Sequence, residues 1–104
     1  MVKIELTKNS GSFQKLKMTG HAESGDFGQD LVCAALTGII SGALNAYDLE
    51  FKNQTNLFVG DNEIVIEVLD LTNHDLQETF NFLVIQLKTI AIQYPKNVIL
   101  KEVK

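Results

Sequence analysis

The hydrophobic residues of this chain change period twice, from two to about 3.6, and those changes leave few folds open to it. Val2, Ile4 and Leu6 alternate with Lys3, Glu5 and Thr7. Beyond the turn Asn9-Ser10-Gly11-Ser12, Leu16 and Met18 alternate with Lys15, Lys17 and Thr19. Two half-buried strands joined as a hairpin are expected. Then the period lengthens: Val32, Leu36, Ile39, Ile40, Ala43, Leu44 and Tyr47 follow at helical spacing. Asp30 is a favoured N-cap residue type, so the helix is expected to start there, with Cys33 at its third position. The pattern repeats. Thr55–Val59 and Glu63–Leu69 are β-rich runs joined by Gly60-Asp61-Asn62. Thr72 or Asn73 caps a second helix with Leu76, Phe80, Leu83, Leu87 and Ile90 on one face. Tyr94-Pro95 ends it, and Val98–Val103 reads as a last strand. The expected order is ββαββαβ, an α+β fold with a mixed sheet packed with two helices. No linker or repeat divides the 104 residues, so one domain is expected over 1–104.

Two features go beyond that frame. Ala34, Gly38, Gly42 and Ala46 form a stripe of small residues four apart on the first helix. Two internal glycines each cost about 1 kcal/mol of helix propensity, so close packing is the expected compensation. The stripe suits either helix-on-sheet packing or a seam between two copies. Phe82, Ile85 and Ile92 widen the apolar face of the second helix beyond what one sheet would cover. Together these point to a homodimer.

Composition narrows the function classes. A hydrophobic fraction of 45% indicates a folded, soluble chain. A net charge of −4 disfavours direct nucleic-acid binding, which depends on neutralising phosphates. Met1-Val2-Lys3-Ile4-Glu5 alternates and carries charge, unlike a signal peptide. Leu31–Ala46 is apolar but short for a bilayer span, and reads as a buried helix with no membrane role. One cysteine cannot form an internal disulfide, which fits a reducing, cytoplasmic setting. His21, His74 and Cys33 lack metal-ligand spacing, so no metal or other cofactor is expected. There is no Gly-x-Ser-x-Gly elbow and no phosphate loop ending in Gly-Lys-Ser or Gly-Lys-Thr.

What chemistry the chain carries lies around Cys33. A cysteine hydrolase needs a thiolate, a proton shuttle and donors for the oxyanion. Cys33 at a helix start would supply the thiolate, since dipole and unpaired N–H groups favour it there. His21 would supply the shuttle if the intervening loop folds back. Cys33 could equally be a small buried hydrophobe among Ala34, Ala35 and Leu36. Asp30 has three possible roles: helix cap, orienter of His21, or contact to a basic substrate group. The loop Ala22–Gly28 is expected to be mobile and to act as a lid, with Gly25 and Gly28 as hinges and Phe27 touching substrate. A noncatalytic binding module, dimeric and with Cys33 inert in its core, is the rival class.

Gly20-His21-Ala22 followed by Gly28-x-Asp30-x-Val32-Cys33-Ala34-Ala35 resembles the Prp family of ribosomal-processing cysteine proteases. The element order suits that family across the whole chain. Thr37 stands where the family commonly has serine, which keeps the hydroxyl. The resemblance implies that Cys33 is the nucleophile and His21 its base, in a homodimer. It implies a substrate too: the N-terminal extension of ribosomal large-subunit protein twenty-seven, cut after a short apolar stretch ending in Phe.

Overall fold

The computed structural model describes residues 1–20 and 27–103, with residues 27–30 described as backbone. Strands β1 (Val2–Asn9) and β2 (Ser12–Thr19) form the first hairpin. Helix α1 (Phe27–Glu50) follows, then β3 (Thr55–Val59), β4 (Glu63–Val68), α2 (His74–Gln93) and β5 (Val98–Val103). The sheet order is β3-β4-β2-β1-β5. β5 runs parallel to β1 and every other pairing is antiparallel, so the sheet is mixed as the periodicity predicts.

Local chemistry accounts for the hairpin. Its two turn residues, Ser10 and Gly11, have φ of 51° and 85°. Two successive positive φ values make the turn that matches the right-handed twist of the flanking strands. A bulge between Thr7 and Lys8 then shifts the register, pairing Lys8 with Phe13. The shift brings Phe13 to the core side, where its ring stacks on Phe80 at 5.2 Å. Simple alternation from Leu16 and Met18 would have sent Phe13 to the opposite face.

Helix α2 begins where expected. Asn73 is its N-cap, and its side-chain oxygen accepts from the Leu76 N–H at 3.1 Å. At the other end the Tyr94 N–H reaches the Ile90 carbonyl at 3.0 Å, just before Pro95. The Gln77 side chain ties the helix to β2. It accepts from the Phe13 N–H at 2.7 Å and donates to the Phe13 carbonyl at 2.8 Å.

The core lies between one face of the sheet and both helices. Val2, Ile4, Leu6, Leu16, Met18, Ile66 and Val98 from the sheet meet Val32, Leu36, Ile40 and Tyr47 of α1 and Leu76, Phe80 and Leu87 of α2.

Helix α1 corrects the sequence reading at both ends. It starts at Phe27, so Phe27 and Gly28 are helical and Gly28 is not a loop hinge. Asp30 lies inside the first turn and is not the N-cap. An acidic residue suits either place, because both put negative charge near the unpaired N–H groups. The helix is also longer than its apolar run suggested. Leu31–Glu50 is long and apolar enough, by length and composition alone, to cross a membrane. Yet Val32, Leu36, Ile40 and Tyr47 of that stretch are buried against the sheet and α2.

Candidate active site

The site segment begins at Gly20, where the chain leaves β2. Gly20 is buried and has φ of 83°. A Cβ there would run into the Met1 carbonyl, which belongs to the backbone at the start of β1. Only glycine tolerates both the conformation and the approach. The position immediately before His21 is thereby fixed against the end of the sheet. Sequence reading gave Gly20 a place in the motif but no physical reason for it; a glycine directly after a strand is the signal that could have raised one.

His21, the expected base, lies outside the described residues, as do Ala22, Gly25 and most of the loop expected to act as a lid. Phe27, Gly28 and Asp30 all fall in the first turn of α1. Asp30 precedes Cys33 by three residues, nearly one helical turn.

Cys33 is the seventh residue of α1, not the third. Its N–H therefore falls within the i to i−4 ladder, and the dipole's effect, concentrated in the first turn, has weakened there. The expected activation by unpaired N–H groups at the helix start does not apply at this depth. The thiol is half-buried and packs against the core beside Val32 and Leu36. It sits at the border between core and surface, accessible at one side and held by packing at the other. That arrangement suits a nucleophile that must meet a substrate while keeping its aim.

The small-residue stripe has a different surrounding from the one expected of helix-on-sheet packing. Ala34, Gly38, Gly42 and Ala46 are exposed, and a Cβ at Gly38 or Gly42 would meet nothing within 4 Å among the described residues. The stripe opens onto a groove of about 480 Å³ between the helices, which Tyr47, Phe82 and Leu83 also line. Phe82 is 63% exposed and Ile85 52%. At the groove floor the Tyr47 hydroxyl lies 3.4 Å from that of Thr79. Burial pushes the Tyr47 phenol above its ordinary pKa, and the Thr79 hydroxyl offsets this in part.

A strand hairpin, a glycine at its exit and a helix carrying a half-buried thiol form the described part of the site. The chain belongs to a family of small cysteine hydrolases, described as Cysteine protease Prp, whose profile matches residues 1–99. A relative from Mycoplasma genitalium named Ribosomal processing cysteine protease Prp is 32% identical over 105 residues, covering 98% of this chain and 96% of its own. A Staphylococcus aureus relative of the same name is 28% identical over 101 residues, covering 94% of this chain and 95% of its own. The crystal structure of an essential ribosomal processing protease Prp from S. aureus with a substrate peptide superposes with a TM-score of 0.88 at 25% identity, over 99% of this chain and 100% of that one. This chain is thus a cysteine protease of the ribosomal-processing family, and the enzyme class prevails over the noncatalytic module.

Proposed function

We propose that this protein removes the N-terminal extension of ribosomal large-subunit protein twenty-seven with a Cys33–His21 dyad. The match to the substrate-bound S. aureus protease over 99% of the chain carries the reading. The motif Gly20-His21-Ala22 and Gly28 to Ala35 adds the residues. His21 takes the proton of Cys33 or pairs with its thiolate. The sulfur attacks the scissile carbonyl, the leaving amine takes a proton from the imidazolium, and water resolves the thioester. Since Cys33 lies beyond the first helical turn, activation of the thiol falls mainly to His21. Asp30, in the same helix one turn earlier, serves to orient the imidazole or to meet the substrate, and Phe27 and Gly28 contact the substrate; their place in the motif supports this. The lone cysteine supports a cytoplasmic setting.

The working unit in this reading is a homodimer closed over the α1–α2 groove. Its support is the open small-residue stripe beside the exposed Phe82. The substrate assignment is tested by incubating the enzyme with protein twenty-seven carrying its extension and mapping the products by mass spectrometry. A single cut after the apolar stretch ending in Phe is expected. An intact extension under conditions where the enzyme cleaves another peptide would overturn the substrate and leave the peptidase.

A further inference from the structure

We propose that the outer edge of β5, unpaired among the described residues, is a docking site for an extended peptide segment with acidic and apolar residues in alternation. β5 is an edge strand of the sheet. The Val2 N–H donates to the Asn97 carbonyl at 2.9 Å, which sets the phase of this parallel ladder. Residues 99, 101 and 103 therefore turn their backbone groups toward β1. The N–H and carbonyl groups of Leu100 and Glu102 point away from it, spaced as an added strand would need them.

Beside that edge lies a cavity of about 420 Å³, formed by Lys88, Ala91 and Ile92 of α2 together with Pro95 and the first residues of β5. Ile92 is 78% exposed and Ile99 44%. Backbone partners and an apolar pocket at one edge are the two elements by which a strand-adding site obtains affinity and selectivity.

Charge selects the occupant. The whole chain carries −4, yet residues 86–103 contain Lys88, Lys96 and Lys101 against the single acid Glu102. Glu102 is paired with Lys8 at 3.2 Å. Lys101 faces Glu5 across the ladder. Lys88 and Lys96 make no ion pair among the described residues, and the positions three and four away from Lys88 on α2 hold no acid. A second copy is a poor occupant. A two-fold pairing of β5 with itself would set this basic corner against its own image. An acidic strand meets it with opposite charge.

The test uses the full chain and a short fluorescent peptide of alternating valine and glutamate, followed by anisotropy. Saturable binding is expected, with none for the same peptide carrying lysine in place of glutamate. The double variant Lys88→Glu, Lys96→Glu should weaken binding more than about tenfold. Glu102→Pro removes one outward donor at an edge position that tolerates proline, and should weaken binding comparably while the thermal midpoint holds. The proposal is overturned by no binding at millimolar peptide, or by binding that neither variant changes. It is equally overturned if Glu102→Pro alters the sedimenting mass, since the edge would then be held by a second copy.

Discussion

A single carbon added at Gly20 would disturb the site segment more than most changes of larger size. The residue combines a φ of 83° with backbone packed where its Cβ would go. Gly20→Ala should cost about 1–3 kcal/mol of stability, read as a lower urea midpoint. A glycine directly after a strand flags the position, but the sequence does not show the obstacle itself, the carbonyl of Met1, which is remote along the chain. Cys33 and His21 are candidates on a different ground: their place within a motif needs no tertiary information. Tyr47 offers a pH prediction. Its hydroxyl is buried, so the folded state holds the phenol neutral above its ordinary value of 10.0. The folded protein then binds a proton that the unfolded chain has released, and stability is full below pH 10.0 and falls as pH rises beyond it. Subtracting the stability curve of Tyr47→Phe from that of the parent isolates this term. A flat difference would show that the phenol is not desolvated.

At the scale of elements, five strands and two helices could be read from hydrophobic period and turn residues, and the second helix even from its cap. The start of α1 could not. Two aspartates, Asp26 and Asp30, stand near it in sequence, both of a favoured cap type, and hydrophobic period does not choose between them. The bulge in β1–β2 was hidden too, since alternation alone cannot reveal an inserted residue; here Gln14 is the extra one. The bulge makes Gln77 important. Its amide satisfies both backbone groups of Phe13, acting as a one-residue extension of the ladder. Gln77→Ala would strand those partly buried groups and should destabilise by about 1–3 kcal/mol. Equilibrium unfolding checks this, with loss of the Phe13–Phe80 stacking visible as a change in near-ultraviolet circular dichroism. A change below 0.5 kcal/mol, roughly the size of an ordinary surface substitution, would show that water replaces the amide at no cost.

For the molecule as a whole, the question is whether a second copy covers the groove between the helices. The sequence raised two destinations for the small-residue stripe, and among the described residues nothing lies within 4 Å of a Cβ at Gly38 or Gly42, which is not the surrounding that helix-on-sheet packing would give. Gly42→Ala therefore meets no obstacle among the described residues and should gain about 1 kcal/mol of helix propensity. Gly42→Leu has the same freedom inside one chain but would fill the groove. Sedimentation should give a dimer mass at micromolar concentration for the parent and a monomer mass for Gly42→Leu; a parent that sediments as a monomer would contradict the proposed assembly. The family match gives the peptidase class, and the proposal is that Cys33, the half-buried thiol on α1, is its nucleophile. The most direct measurement is the cleavage rate of a peptide spanning the extension junction, for the parent and for purified Cys33→Ala with unchanged circular dichroism. The account predicts a loss of at least about 10³-fold in kcat/KM for Cys33→Ala, since no other thiol can form the thioester. Cleavage by Cys33→Ala at a rate near that of the parent would contradict it.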